Sequence, residues 1–101
     1  MKRGVVDLVV LSLIARGGVS GVDLVDELDG LFPPGTIYPA LARLERNGRL
    51  VATFRRASTG RKRKEYDLSE SGAEELTQAG AEWSELRDAV DRVLGGLPIG
   101  T

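Results

Sequence analysis

The chain has 101 residues, with 14 Lys and Arg against 15 Asp and Glu, and it contains neither cysteine nor histidine. This length fits one small domain with a single core and is short for a complete enzyme. Disulfides, thiolate nucleophiles, thiolate metal sites and the commonest general base are excluded, so the composition favours a binding module with no catalytic residue, no metal and no cofactor.

The first apolar run, residues 5–15, is almost continuously hydrophobic, so periodicity alone does not distinguish a buried strand from a buried helix. Its length and the following Gly17-Gly18 pair favour a helix. Because this helix has little polar surface, we expect Leu8 and Leu11 to pack against a second copy of the chain. The run is shorter than the roughly 20 apolar residues that span a bilayer and lacks a signal-peptide cleavage site, so we predict no membrane contact and a cytoplasmic location.

A second amphipathic helix is predicted after Ser20, which is a good N-cap residue. Asp23, three residues later, completes a weaker form of the capping box. Val22, Val25 and Leu28 then recur at helical spacing, and the helix is expected to end near Asp29-Gly30.

The stretch "PPGTIYPALARLERNG" predicts a third helix over residues 34–46, although it contains three prolines. Proline is tolerated at the first helical position, which suits Pro34. Pro39 forfeits one hydrogen bond to Gly35, which costs little if the first turn is loose or 3₁₀-like. The left-handed stop is expected at Asn47-Gly48.

The outward side of this third helix carries polar and cationic groups suited to a DNA groove. A hydroxyl, a phenol and two guanidiniums can donate to base edges and phosphates. The predicted contact residues are Thr36, Tyr38, Pro39, Arg43 and Arg46.

A β-hairpin with a basic tip is predicted next, because residues 50–54 and 64–68 alternate in hydrophobicity around the loop "RRASTGRKR". Two helices, a third helix with a polar outer side and such a hairpin follow the order of a winged helix-turn-helix, which binds DNA through the third helix and the wing. The wing residues predicted to contact DNA are Arg55, Arg56, Gly60, Arg61, Lys62, Arg63 and Lys64.

The charge distribution supports this interpretation, since residues 1–64 carry 12 Lys and Arg against 6 Asp and Glu, whereas residues 65–101 carry 2 against 9. The near-neutral total therefore conceals a basic region that attracts phosphates and an acidic one that is expected to face away from DNA.

A long final helix is predicted over residues 70–94 with Ser69 as N-cap. Leu76, Trp83, Val90 and Leu97 recur every seven residues, with a second apolar set between them, which is typical of a dimerisation helix. The predicted fold is therefore mainly α with a small β-hairpin, comprising a DNA-binding domain (1–68), a dimerisation helix (69–96) and a tail (97–101). The residues predicted to dimerise are Leu8, Leu11, Leu76, Ala79, Trp83, Leu86, Val90 and Val93.

Together these segments resemble the PadR family of winged-helix transcriptional regulators, in its small branch with a single C-terminal helix. The resemblance rests on "PGTIYPAL", "LERNG" and "RKRKEYDLSESG" within a match that covers nearly the whole chain. It implies a homodimeric repressor that binds an inverted-repeat operator in double-stranded DNA and is released by a small-molecule effector.

Three other interpretations of the sequence concern an effector site, a protein partner and an enzyme. Trp83 could stack on an aromatic effector, although packing in the dimer explains it more simply. The same fold could serve as an adaptor that binds a protein partner, but the outward side of the third helix and the wing are cationic. Glu74, Glu75, Glu82 and Asp88 do not form a catalytic set, because an exposed acidic helix side explains them.

Overall fold

The protein is described by a computed structural model over residues 4–56 and 58–96. Within those residues a helical body carries a small antiparallel sheet, which confirms the predicted fold class. The elements in chain order are α1 (Val5–Ile14), β1 (Val19–Ser20), α2 (Gly21–Glu27), α3 (Pro34–Arg46), β2 (Leu50–Arg56), β3 (Lys62–Leu68) and α4 (Glu70–Gly95).

Helix α2 begins with the predicted capping box. The Ser20 hydroxyl accepts from the Asp23 amide at 3.0 Å, and the Asp23 carboxylate accepts from the Ser20 amide at 3.2 Å. These contacts satisfy two amides that lack intrahelical partners. The helix ends at Glu27, earlier than predicted, and Gly30 turns the chain with a φ of +83°.

Helix α3 has the predicted bounds, with Pro33 as N-cap and Pro34 at the first helical position. The Pro33 carbonyl accepts from both the Thr36 and Ile37 amides, so the first turn combines 3₁₀-type and α-type bonds. Beyond Asn47, the chain leaves the helix through Gly48, whose φ is +76°. The Arg49 amide donates to Leu44 and the Gly48 amide to Glu45, which is a Schellman motif.

The sheet has three strands in the order β1-β3-β2, all antiparallel. The hairpin β2–β3, hereafter the wing, is longer than predicted, because pairing continues to Arg56 and Lys62. The strands therefore include four residues that were predicted to lie in the loop: Arg55, Arg56, Lys62 and Arg63. The short β1 strand was not predicted, since two residues carry no alternation signal.

The hydrophobic core is formed by one side of each helix and the root of the wing. Its fully buried members include Leu11, Ile14, Leu24, Ile37 and Leu41. Leu11, together with the fully buried Ala79 on α4, has no surface left for a second chain. Neither residue can contribute to the dimer contact predicted for it.

Helix α4 extends well beyond this core. Its 26 residues span about 39 Å at 1.5 Å per residue. The radius of gyration is 16.3 Å, whereas a compact domain of this size has about 13 Å. Of its described residues only Gly72 and Ala79 are buried, and Leu97, the last residue of the predicted heptad series, lies outside the described residues.

Candidate nucleic-acid interface

The exposed side of α3 is centred on a strip of mostly small residues. At 100° per residue, Gly35, Pro39, Ala42 and Arg46 lie within about 60° of one another, and all four are exposed. A Cβ built on Gly35 would have no atom within 4 Å. Gly35 and Ala42 were not predicted as contact residues, although small residues here would let a nucleic-acid backbone come close to the helix.

Tyr38 lies on one flank of this strip, against the start of α2. Tyr38 is 47% exposed, and a Cβ added at Gly21 would lie 2.9 Å from its ring. Gly21 therefore permits the close contact between α2 and α3. The phenol stays at the surface as predicted.

Arg43 lies on the other flank, beside Thr36, and is ion-paired. Its two terminal nitrogens donate to the two carboxylate oxygens of Asp7 in α1, at 2.8 and 2.6 Å. These hydrogen bonds raise the pKa of the Arg43 guanidinium above its ordinary value. Arg43 is thus exposed, as predicted, but already paired.

Lys64 connects the wing to α3. Its ammonium group donates to the Glu45 carboxylate at 2.9 Å and lies 5.3 Å from the centre of the Tyr66 ring. The hydrogen bond to Glu45 raises the pKa of Lys64. This side chain fixes the wing relative to the helix and is less available to DNA than predicted.

Arg63 connects the wing to the cap of α2. Its guanidinium pairs with the Asp23 carboxylate and donates to Glu65 at 3.0 Å, and Glu65 also pairs with Arg55. The pKa of Asp23 lies below its ordinary value, mainly because the Ser20 amide donates a hydrogen bond to the carboxylate. Contacts with the Ser20 side chain and with Arg63 lower this pKa further. The charges of Arg63 and Arg55 are thus largely offset by Asp23 of α2 and Glu65 of the wing.

The remaining predicted cations carry no such partners. Within residues 4–56 and 58–96, the side chains that are exposed and form no ion pair include Arg46, Arg56, Arg61 and Lys62. Gly60, at the tip of the wing, has a φ of +83° and turns the chain between the two strands. A cleft of about 540 Å³ lies between Tyr38 and the basic strand β3, and Arg61 and Lys62 are on its rim.

A second surface feature is an apolar groove of about 600 Å³ between α1 and α4. Leu8, Leu76 and Trp83 line it, and Trp83 is 37% exposed. Leu86, Val90 and Val93 continue the exposed apolar stripe along α4. Six of the eight predicted dimer residues therefore share one side of the molecule.

Two classes of site find no support in the described part of the chain. No group of three potential metal-ligating side chains occurs there. None of the helices within it is long and apolar enough to cross a bilayer.

Comparison with known families identifies this arrangement. The sequence model of the PadR-like family of transcriptional regulators matches residues 10–78, which include α2, α3 and both strands of the wing. The chain belongs to the PadR-like family. Its members are transcriptional regulators and not enzymes, which confirms both the resemblance and the expected lack of catalytic activity.

Individual PadR-like proteins are similar over most of the chain. A transcriptional regulator of Mycobacterium tuberculosis is 36% identical, over 94% of this chain and 88% of that protein. The crystal structure of a PadR-like regulator from Bacillus cereus is 30% identical, with a TM-score of 0.84 over 93% of this chain and 95% of that one.

One similar structure contains nucleic acid. It is Bacillus subtilis PadR in complex with operator DNA, 26% identical, with a TM-score of 0.66 over 74% of this chain and 46% of that one.

Proposed function

We propose that this PadR-like protein is a cytoplasmic homodimer that binds an inverted-repeat operator in double-stranded DNA and represses transcription there. The observation that carries the proposal is the exposed strip of α3 beside a wing with unpaired cations. Major-groove entry by a helix and backbone contact by a wing require this pairing of surfaces. The similar structure of Bacillus subtilis PadR in complex with operator DNA supports DNA binding by a protein of this fold.

The wing is expected to contact DNA phosphates, and α3 is expected to contact base edges. Arg56, Arg61 and Lys62 carry charge that is not offset within the chain, which suits phosphate contacts. The small exposed residues Gly35, Pro39 and Ala42 let the helix axis come close to base edges, where sequence is distinguished. A dimer bound across a promoter would exclude RNA polymerase, which is why repression is the proposed outcome.

The apolar stripe of α4 supports the homodimer. Trp83, Leu86, Val90 and Val93 are all at least 37% exposed in the single chain, and such a continuous apolar patch is typical of an interface. Leu8 is buried in the single chain, and it lines the groove between α1 and α4 together with Trp83 of the stripe. An inverted repeat requires two α3 helices on one duplex, which a homodimer supplies.

An aromatic effector bound at Trp83 is proposed as the release mechanism. Trp83 lines the 600 Å³ apolar groove and is the only tryptophan of the chain. Its fluorescence therefore reports on this site alone. Titration with planar aromatic compounds should quench or shift the emission and weaken DNA binding in parallel, and compounds that release DNA without changing the emission would contradict the site.

Fluorescence anisotropy tests the proposed function. The labelled duplexes are the region upstream of the protein's own gene and a scrambled duplex of equal length, each at 50 mM and 200 mM salt, a range over which several phosphate contacts change affinity steeply. Tighter, salt-sensitive binding to the upstream duplex supports the proposal. Binding to neither duplex contradicts it and would favour a protein partner, an alternative to which the family matches give no support.

Matched variants make this test specific to the surface. Arg46→Ala should weaken binding to the upstream duplex by about tenfold, as expected for one lost contact to a base edge in the major groove. Arg16→Ala is the control, because Arg16 lies beyond the end of α1 and pairs with Glu27. Equal losses for the two variants would remove α3 from the interface.

A further inference from the structure

The ion pair between Asp7 and Arg43 joins α1 to the DNA-facing side of α3. The contact is bidentate, with both terminal nitrogens of Arg43 donating to both carboxylate oxygens of Asp7. Its two members differ in exposure, since the Arg43 side chain is 44% exposed and that of Asp7 only 15%. The carboxylate thus lies beneath a guanidinium that reaches the surface.

The position of this carboxylate is fixed by the fold. Asp7 is in the first turn of α1, and the buried Leu11 of that helix packs in the same core as Ile37 and Leu41 of α3. Thr36 and Pro39 form the wall beside the pair. Because both helices are held by the core, the fork of Arg43 is held in one direction.

The pair leaves Arg43 with hydrogen-bonding capacity but little net charge. A guanidinium has five N–H donors, of which Asp7 uses two, so the edge containing Nε remains free to donate. Attraction to a phosphate depends on charge, which Asp7 offsets. Recognition of guanine depends on two parallel donors aimed at O6 and N7, which a held guanidinium supplies well.

We propose that Asp7 is a specificity-determining positioning residue, which holds Arg43 so that its free edge donates to a guanine in the major groove. The same carboxylate weakens the attraction of Arg43 to the phosphates of unrelated DNA. This inference rests on the proposed function, because it concerns how the DNA surface of α3 distinguishes sequences.

The test uses the full-length protein and a duplex selected by it from a random library, with a scrambled duplex of the same composition. Asp7→Asn should lower the ratio of the two affinities about tenfold, the discrimination expected of one bidentate contact to a base. Binding to the scrambled duplex should become tighter, and its salt dependence steeper by about one phosphate contact, because Arg43 is released.

Glu27→Gln is the matched control, since it removes a carboxylate at the end of α2 that is also paired with an arginine, Arg16. It should leave the affinity ratio unchanged. In an Arg43→Ala background, Asp7→Asn should alter both affinities by the same factor, because the group that it positions is gone.

The outcomes separate the two claims. If the wild-type protein selects no sequence, the proposed function fails. If the wild-type protein selects a sequence but Asp7→Asn keeps the wild-type affinity ratio, the proposed role of Asp7 is wrong. The same conclusion follows if Asp7→Asn lowers the ratio equally in the Arg43→Ala background. Should Asp7→Asn unfold, Arg43→Lys serves instead, because it keeps the charge but loses the fork; an unchanged ratio there also overturns the inference.

Discussion

At the scale of single residues, the basic run "RKRK" of the wing divides into two pairs with different partners. Arg61 and Lys62 are exposed and unpaired within the described chain, whereas Arg63 and Lys64 fix the wing to α2 and α3. The sequence predicted the run as a whole, and it could not predict the division. Which cation meets a carboxylate depends on strand register and on the distance between elements, neither of which is encoded in local spacing.

Replacing each member of the run in turn tests this division. Arg61→Ala should weaken binding to selected and scrambled duplexes by similar factors, and reduce the salt dependence by about one phosphate contact. Arg63→Ala should change the salt dependence less, because Asp23 and Glu65 already offset that charge. The slope of log affinity against log salt concentration is measured for each variant. Equal slopes for Arg61→Ala and Arg63→Ala would contradict the division of the run into unpaired and paired cations.

The capping box of α2 gives a prediction on pH. Since the pKa of Asp23 is lowered in the folded protein, its carboxylate stabilises the fold above its ordinary pKa of 3.8, and that contribution is lost as pH falls through the lowered value. Asp23→Ala should cost about 1 kcal/mol in the free energy of unfolding at pH 7, as expected for one lost hydrogen bond, because the Ser20 amide loses its acceptor. Urea unfolding should show this difference shrinking toward pH 3. Asp29→Ala is the control, and an Asp23→Ala difference that is as large at pH 3 as at pH 7 would contradict the assignment.

At the scale of elements, the helices with local end signals were predicted most accurately. Pro34 and Asn47-Gly48 delimit α3, and Ser69 caps α4 by accepting from the Gly72 amide at 3.0 Å. These signals act within one turn and therefore appear in the sequence. The β1 strand and the full length of the wing depend on pairing with distant residues, so the local sequence could not predict them.

Gly72 shows how tightly α4 is placed on the sheet. A Cβ there would lie 2.0 Å from the Arg49 carbonyl oxygen, which is backbone that also accepts from the Ser69 amide. Gly72→Ala should therefore reduce the free energy of unfolding by about 3 kcal/mol, as expected when a packed site is overfilled. Gly95→Ala in the same helix meets no atom within 4 Å and should change stability little. Equal urea midpoints for both variants would contradict this packing.

At the scale of the whole molecule, charge and apolar surface lie on different parts of the protein. The cations are concentrated in α3 and the wing, while the acidic α4 carries the exposed apolar stripe. The heptad spacing predicted that stripe, because a seven-residue repeat places residues on one side of a helix wherever the helix lies. The sequence could not predict that Ala79 of α4 and Leu11 of α1 are buried in the chain's own core.

Dimerisation through α4 is tested by placing a charge on the stripe. Trp83→Glu should dissociate the homodimer in sedimentation velocity and weaken operator binding by at least tenfold, because an unpaired carboxylate is costly in an apolar contact. Arg92→Glu adds a glutamate about 140° around the helix from the centre of the stripe and should leave the dimer intact. A persistent dimer for Trp83→Glu would exclude this side of α4.

The most direct test of the central claim, that two copies of α3 and the wing bind one operator, is a hydroxyl-radical footprint on a duplex selected by the protein. A homodimer of winged helices should protect two related half-sites about 10 base pairs apart, or a multiple of that spacing. Arg61→Ala should lose protection at the backbone positions contacted by the wing. Protection of a single half-site, or none above that on scrambled DNA, would contradict the account.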